Sequence, residues 1–276
     1  MSHTIRSLIV ATYAVALLAG CSGGSDDASD DRGGSSDITA NPTAETDEAS
    51  ESGDATTPPA SVDALPFNAS GLLGGNASPT FPAGDAGEVT VVSNGPFAKD
   101  EDFGSAKLLV AFRNNTSAPI SHVDLSGTAR ADGELVATGA SQGTTPSQVG
   151  VGEVGLAFIY FESVGDVPDK GLDYDFAIET SPADTSSFNT APFAVAEATN
   201  NGSAVIGTAT NGTDATVSGP YSVAVYCFQG DQLADQIGSY ADQGADIEPG
   251  GTVSFTVDLY GTKCETFAVG VSGYFV

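Results

Sequence analysis

Side chains able to do chemistry are sparse in this 276-residue chain, which has three cysteines, two histidines, and eight lysines and arginines against 36 aspartates and glutamates. Cys21 closes an apolar run after the small pair Ala19-Gly20, and its thiol is the one soft nucleophile in that stretch, suited to accepting a lipid group. Cys227 and Cys264 both fall late in the chain, within one candidate domain. His122 shares a strand face with Asp124, Ser126, Thr128 and Arg130, opposite Val123 and Leu125, so its imidazole is expected to face solvent. A loop from Glu162 to Asp175 carries Asp166, Asp169, Asp173 and Asp175, hard oxygen donors of the kind calcium takes. The spacing matches no EF-hand and Lys170 sits among them, so a weak calcium site, a partner contact and a plain solvated loop all stand open.

No constellation for catalysis accompanies these residues. One histidine after the apolar start supplies no zinc site of ordinary composition, and the chain has no Gly-x-Ser-x-Gly elbow for a serine triad. The chain therefore reads as a non-enzyme, with no catalytic residue and no cofactor beyond the weak calcium of the acidic loop. A formal net charge of -28 disfavours nucleic acid as a partner and disfavours lying flat on anionic lipid. The same acidity fits a high-salt habitat or an ordinary acidic envelope protein equally well.

Arg6, the apolar stretch from Ser7 to Leu17, and Leu18-Ala19-Gly20-Cys21 together resemble the signal peptide and lipobox of exported prokaryotic lipoproteins. The apolar stretch is too short for a membrane-spanning helix, which takes about 20 residues. The resemblance implies cleavage after residue 20, a diacylglycerol thioether on Cys21, and an extracytoplasmic protein anchored to the cell membrane by acyl chains such as palmitate. Two or more chains hold a protein stably where one does not. With Cys21 used, Cys227 and Cys264 are left in an oxidising compartment, where a disulfide is the natural pairing and requires their Cα atoms within about 7 Å. Two small buried thiols are the alternative that spacing leaves open.

Positioning these residues falls to two kinds of chain. From residue 21 to 84, Ser, Gly, Asp, Thr, Ala and Pro dominate, and the carboxylates from Asp26 to Asp63 face only Arg32, which predicts a disordered acidic linker. From Glu88 onward, short alternating apolar runs are separated by Gly, Asn, Asp and Pro, with no helical stripe. That texture predicts an all-β fold, two tandem immunoglobulin-like β-sandwich domains over 85–183 and 188–276.

The doubling comes from an internal repeat. Ala106 through Asn114-Asn115-Thr116 matches Gly202 through Asn211-Gly212-Thr213; Val123 and Leu125 match Tyr221 and Val223; Val154, Leu156, Phe158 and Tyr160 match Val253, Phe255, Val257 and Leu259. The expected first core holds Phe112, Leu125, Leu156, Phe158 and Phe176, and the second Ile206, Val223, Val225, Phe255, Val257 and Val269. Ala204 to Thr213, then Val223 to Tyr226, Gly230 to Leu233, and Ile247 to Phe255, resemble the FxLYD-type domain of exported bacterial and archaeal lipoproteins. The resemblance implies an immunoglobulin-like extracytoplasmic domain whose pattern is structural and carries no catalytic residues.

The function expected from all this is noncatalytic, a binding or accessory role in the cell envelope toward a protein or polysaccharide, with the membrane reached through the lipid anchor. The alternative is a lipoprotein that binds or senses a small ligand or ion for a membrane partner. A concave apolar pocket between the repeats favours the alternative; a short exposed linker at Thr185 to Ala191 without a pocket counts against it.

Overall fold

The structure is a computed structural model that describes residues 62–276. Cys21, the signal peptide and the linker as far as residue 61 lie outside the described residues. The described chain is all-β, with strands β1 (Gly74–Gly75), β2 (Val89–Asp100), β3 (Ser105–Asn114), β4 (Ile120–Ala131), β5 (Glu134–Thr145), β6 (Gln148–Val149), β7 (Val154–Phe161), β8 (Leu172–Pro182), β9 (Thr190–Asn200), β10 (Ala204–Thr210), β11 (Val217–Gln229), β12 (Gln232–Tyr240), β13 (Thr252–Asp258) and β14 (Thr266–Phe275). These form two immunoglobulin-like sandwiches, β2 to β8 and β9 to β14.

The two share one strand plan, β2, β3, β4, β5, β7 and β8 corresponding to β9, β10, β11, β12, β13 and β14. Each has a register shift at the same place, between Ala129 and Arg130 in the first and between Cys227 and Phe228 in the second. Asn114 and Asn211 make the equivalence atomic. Each donates from Nδ2 to the carbonyl four residues on, Ala118 or Ala215, both at 2.9 Å, and accepts from the Thr116 or Thr213 hydroxyl at 2.6 and 2.7 Å. Both asparagines are fully buried, and each ties the turn before β4 or β11 to the loop before β7 or β13.

These bonds correct the repeat register by one residue. Gly152 and Gly250 donate to the Asn114 and Asn211 carbonyls, and Phe112 pairs with Gly155 where Ala209 pairs with Val253. Gly155, Ala157, Ile159 and Phe161, and not Val154, Leu156, Phe158 and Tyr160, therefore correspond to Val253, Phe255, Val257 and Leu259. Bulk is exchanged across the two cores accordingly. A methyl on Gly155 would come within 2.3 Å of the Phe112 ring, and one on Gly207 within 2.5 Å of the Phe255 ring, so each core seats one phenylalanine over a glycine on the facing strand.

The first core is built from Leu108, Val110, Phe112, Leu125, Ala157, Ile159 and Phe161, with Phe176 packed at its edge, and the second from Phe193, Val205, Val223, Val225, Phe255, Val257 and Val269. Leu156 and Phe158 leave the expected first core. They point outward with Leu109 and Ala111 and meet Tyr226, Phe228, Leu233 and Ala268 of the second sandwich in a third apolar cluster. Ile206, expected in the second core, is 41% exposed, because Val205 is the inward residue of β10. β3 and β7 are covered on both faces, so both alternations are apolar and period two cannot tell inside from between.

Residues 62–84 correct the linker expectation. Leu65 N–H donates to the Gly152 carbonyl in the first sandwich; the chain then crosses to the second, where Leu72 accepts from Val195 N–H and β1 pairs with β14 at Gly74 and Val269. Leu73 and Phe81 are buried in the third cluster, and Phe67 meets Phe81 and Phe228 edge-on at 6.0 Å. The chain then returns to the first sandwich, where Arg113 holds it through the Phe81 and Pro82 carbonyls at 3.3 and 3.1 Å. The average composition of this stretch is that of a tether. Three or four large apolar side chains seated in a ready-made seam are enough to order it.

Candidate functional site

β4 and β5 of the first sandwich and the outer face of β12-β11-β14 in the second bound a cleft of about 750 Å³. Its floor follows from residue size. Tyr226 pairs with Gln236 and Ala268, Ser222 with Tyr240 and Ser272, and between these rows Ala224 sits between Gly238 and Gly270. A row of two glycines and an alanine leaves the middle of the sheet bare, a trough between taller residues. Thr145, at the end of β5, closes one side so tightly that a methyl on Gly270 would lie 2.3 Å from its Cγ2.

Polar groups converge on the trough from both sandwiches. Lys107, on β3, extends over the Phe158 ring with Nζ 5.2 Å from its centroid. His122 is exposed, as expected from its strand position, with Nδ1 3.1 Å from the Ser121 hydroxyl, and its ring lines the cleft wall beside Asp124. The His122 backbone has φ of 44°, the left-handed region, at the bulge where β4 loses register with β8 between Ser121 and Asp124. Ser147 Oγ is buried at the cleft without a hydrogen-bond partner. Tyr226 is buried in the floor, and burial pushes its phenol well above the ordinary tyrosine range. Tyr240 and Tyr274, 65% and 40% exposed, stand at the rim.

Such a lining can hold and orient a polar ligand. Lys107 brings a cationic nitrogen to the cleft, with the His122 imidazole and the Asp124 carboxylate in the same lining, Lys107 enters neither ion pair found among the described residues, and the tyrosines offer faces on which a ring can stack. Among the described residues Ser121 is the hydroxyl bonded to His122, and its Oγ also donates to the Pro182 carbonyl at 3.1 Å.

Cys227 and Cys264 form the disulfide, with Cα atoms 4.9 Å apart, so the two-thiol alternative falls. It joins β11 to the loop after β13; the first sandwich has Ala129 at the place of Cys227, and buried Val164 and Val167 fill the corresponding loop. The acidic loop does not gather its carboxylates. Asp169 pairs with Lys99 at 2.8 Å and Asp175 with Arg130 at 2.9 Å, and among the described residues no three His, Cys, Asp or Glu side chains approach as a metal would require. Asp173 and Asp175 share the outward face of β8, Asp166 and Asp169 lie in the valine-plugged loop before it, and two of the four are engaged by cations, so the calcium expectation for Asp166, Asp169, Asp173 and Asp175 finds no gathered ligand set among the described residues. The Lys99 ammonium also holds the Asp169 carboxyl below its usual range.

The sequence pointed to His122 but not to Lys107, Tyr226, Gln236, Ser147 or the rim tyrosines. The signal that could have found them is the double apolar alternation of β3 and β7, Leu108-Leu109-Val110-Ala111 above all, which marks strands sandwiched between two layers and therefore a domain interface. No family model matches the chain, and no curated protein matches it.

Proposed function

We propose that this chain is a noncatalytic, lipid-anchored cell-envelope protein that binds a small anionic ligand in the cleft between its two sandwiches. The lipobox-like segment ending in Cys21 supports the anchor, and the FxLYD-type resemblance of the second repeat supports an extracytoplasmic module. The cleft carries the ligand reading. It has the volume of ordinary small-molecule sites, which run from about 300 to 1,000 Å³, and it places Lys107 and His122 together in a molecule whose formal net charge is -28. Anions are repelled from the rest of such a surface, so the positive charge of Lys107 at a concave place, with Asp124 the one carboxylate in the same lining, favours them there.

The ligand reading is tested by calorimetric titration of the purified protein with glucuronate, citrate and inorganic phosphate, in parallel with neutral glucose. At least one of the anions should bind, and Lys107→Gln should weaken it about tenfold, a loss of about 1.4 kcal/mol. Binding of glucose alone, or anion binding indifferent to Lys107→Gln, removes the proposal.

A further inference from the structure

The two sandwiches close differently: β5 pairs with β7 in the first where β12 and β13 share no ladder in the second, and at the other edge the first sandwich has a vacant strand position. In the second sandwich β9 divides its pairing: Thr190 to Phe193 bond to β14, with Phe193 opposite Val271 and Ala191 opposite Gly273, before Ala194 passes to β10. Ala191 and Phe193 are fully buried there. In the first sandwich the corresponding residues, Ala86 to Val89, never reach β8. Gly87 N–H donates to the Asn115 carbonyl, Asn115 Nδ2 holds the carbonyls of Ala83 and Asp85, and Val89 already pairs with Asn114 of β3. β8 pairs with β4 alone, and β2 with β3 alone.

By the shared register Ile178 to Ser181 of β8 correspond to Val271 to Tyr274, the residues that receive Thr190 to Phe193 in the second sandwich. A cavity of about 560 Å³ lies at that place, lined by Phe176, Ile178 and Thr180 on one side and Val89 and Val91 on the other. Phe176, Ile178, Val89 and Val91 are half-buried on the first core, and Tyr174 and Phe176 continue as a stacked pair with ring centroids 6.2 Å apart. Asp85 and Glu88 stand at its mouth, and Asp173, Asp175 and Glu179 point outward along β8.

We infer that this edge accepts an extended segment of a basic partner polypeptide, added to β8 as a strand with an apolar side chain seated between Ile178 and Val91. The second repeat supplies the template, a four-residue strand with one large apolar residue in the Phe193 position. Main-chain bonds give affinity in such additions and the alternate side-chain pocket gives selectivity. The charge chooses the partner. Asp and Glu along an exposed edge are a common guard against edge-to-edge association, and here they set β8 against the β8 of a second copy while attracting lysines and arginines flanking an apolar strand. The site is separate from the cleft and does not depend on its ligand.

The test uses the full chain and a synthetic peptide of residues 189–195, Asn-Thr-Ala-Pro-Phe-Ala-Val, with two lysines at each end, and the same peptide flanked by glutamates. Fluorescence anisotropy should give saturable binding of the lysine form, with the glutamate form at least about tenfold weaker. Hydrogen exchange should show new protection confined to Ile178 to Ser181 and the facing residues of β2. Asp85→Lys/Glu88→Lys, which alters only exposed side chains at the mouth, should weaken the lysine peptide by a similar factor while leaving the unfolding midpoint in place. The inference is overturned by absence of binding, by equal binding of the two peptides, or by protection appearing in β14, which would mean displacement of the chain's own strand. Self-association in sedimentation with the same β8 amides protected would assign the edge to a second copy and overturn it as well.

Discussion

Arg113 is 2% exposed and meets no carboxylate among the described residues; its guanidinium donates instead to the carbonyls of Leu65, Phe81, Pro82 and Gly152, at 2.6 to 3.3 Å. A planar fork with five donors suits such a divergent set, which an ammonium could not span. Arg113→Met keeps the stem and leaves the Leu65, Phe81 and Pro82 carbonyls without their donor, Gly152 retaining Leu65 N–H, so it should cost about 3 to 5 kcal/mol, read from urea unfolding midpoints. Tyr226 makes the opposite kind of statement. Its phenol is favoured neutral by burial, so its folded pKa lies above the unfolded value of about 10. The stability this represents is present in full below pH 10 and declines as pH rises above it, by at most about 1.4 kcal/mol per pH unit for one group. Tyr226→Phe should flatten the alkaline limb of a stability-versus-pH curve. An unchanged limb would place the decline on Tyr174 and Tyr221, whose pKa values burial also raises.

Among the elements, β3, β7 and β11 matter most because each serves two layers. β11 sends Val223, Val225 and Cys227 into its own core, as its alternation predicted, and Ala224, Tyr226 and Phe228 toward the first sandwich. The strand plan, the repeat and the disulfide were legible because turn residues, alternation and cysteine count are local signals. The cleft was not, since it depends on which of two apolar faces turns toward the other domain. The same blindness produced the one-residue slip at Leu156 and Phe158 and put Ile206 inside. The docking of β14 against β5 is checked by Gly270→Ala, whose methyl would press on Thr145 Cγ2 at 2.3 Å. It should destabilise by about 1 to 3 kcal/mol in urea unfolding and weaken any cleft ligand with it. Gly238→Ala, whose nearest neighbour is Gln236 Nε2 at 3.5 Å, has room and should be nearly neutral in stability.

At the scale of the whole molecule, the third cluster makes the tandem domains one body: the described residues 62–276 fall in one compact unit, and residues 62–84 contribute Leu73 and Phe81 to the seam. The proposed anchor is tested where it acts. Cys21→Ala should shift the protein from the membrane pellet to the soluble fraction, or leave it as an uncut precursor, and abolish incorporation of a palmitate analogue; equal labelling of wild type and variant rules the anchor out.

The crossing of residues 65–82 from the first sandwich to the second and back has a topological consequence. The connection between Pro182 and Thr190 is not what holds the sandwiches together, because the first carries its own arm into the second, through β1 on β14 and through Asn76, which accepts from Phe267 N–H at 2.9 Å and donates to the Glu265 carbonyl at 2.9 Å. Breaking one peptide bond near Thr185 costs an effective concentration but no interface. The chain should therefore behave as a natural split protein: halves ending and beginning there, coexpressed as separate polypeptides, should copurify, and the association should vanish when the arm's Leu73 becomes Asp.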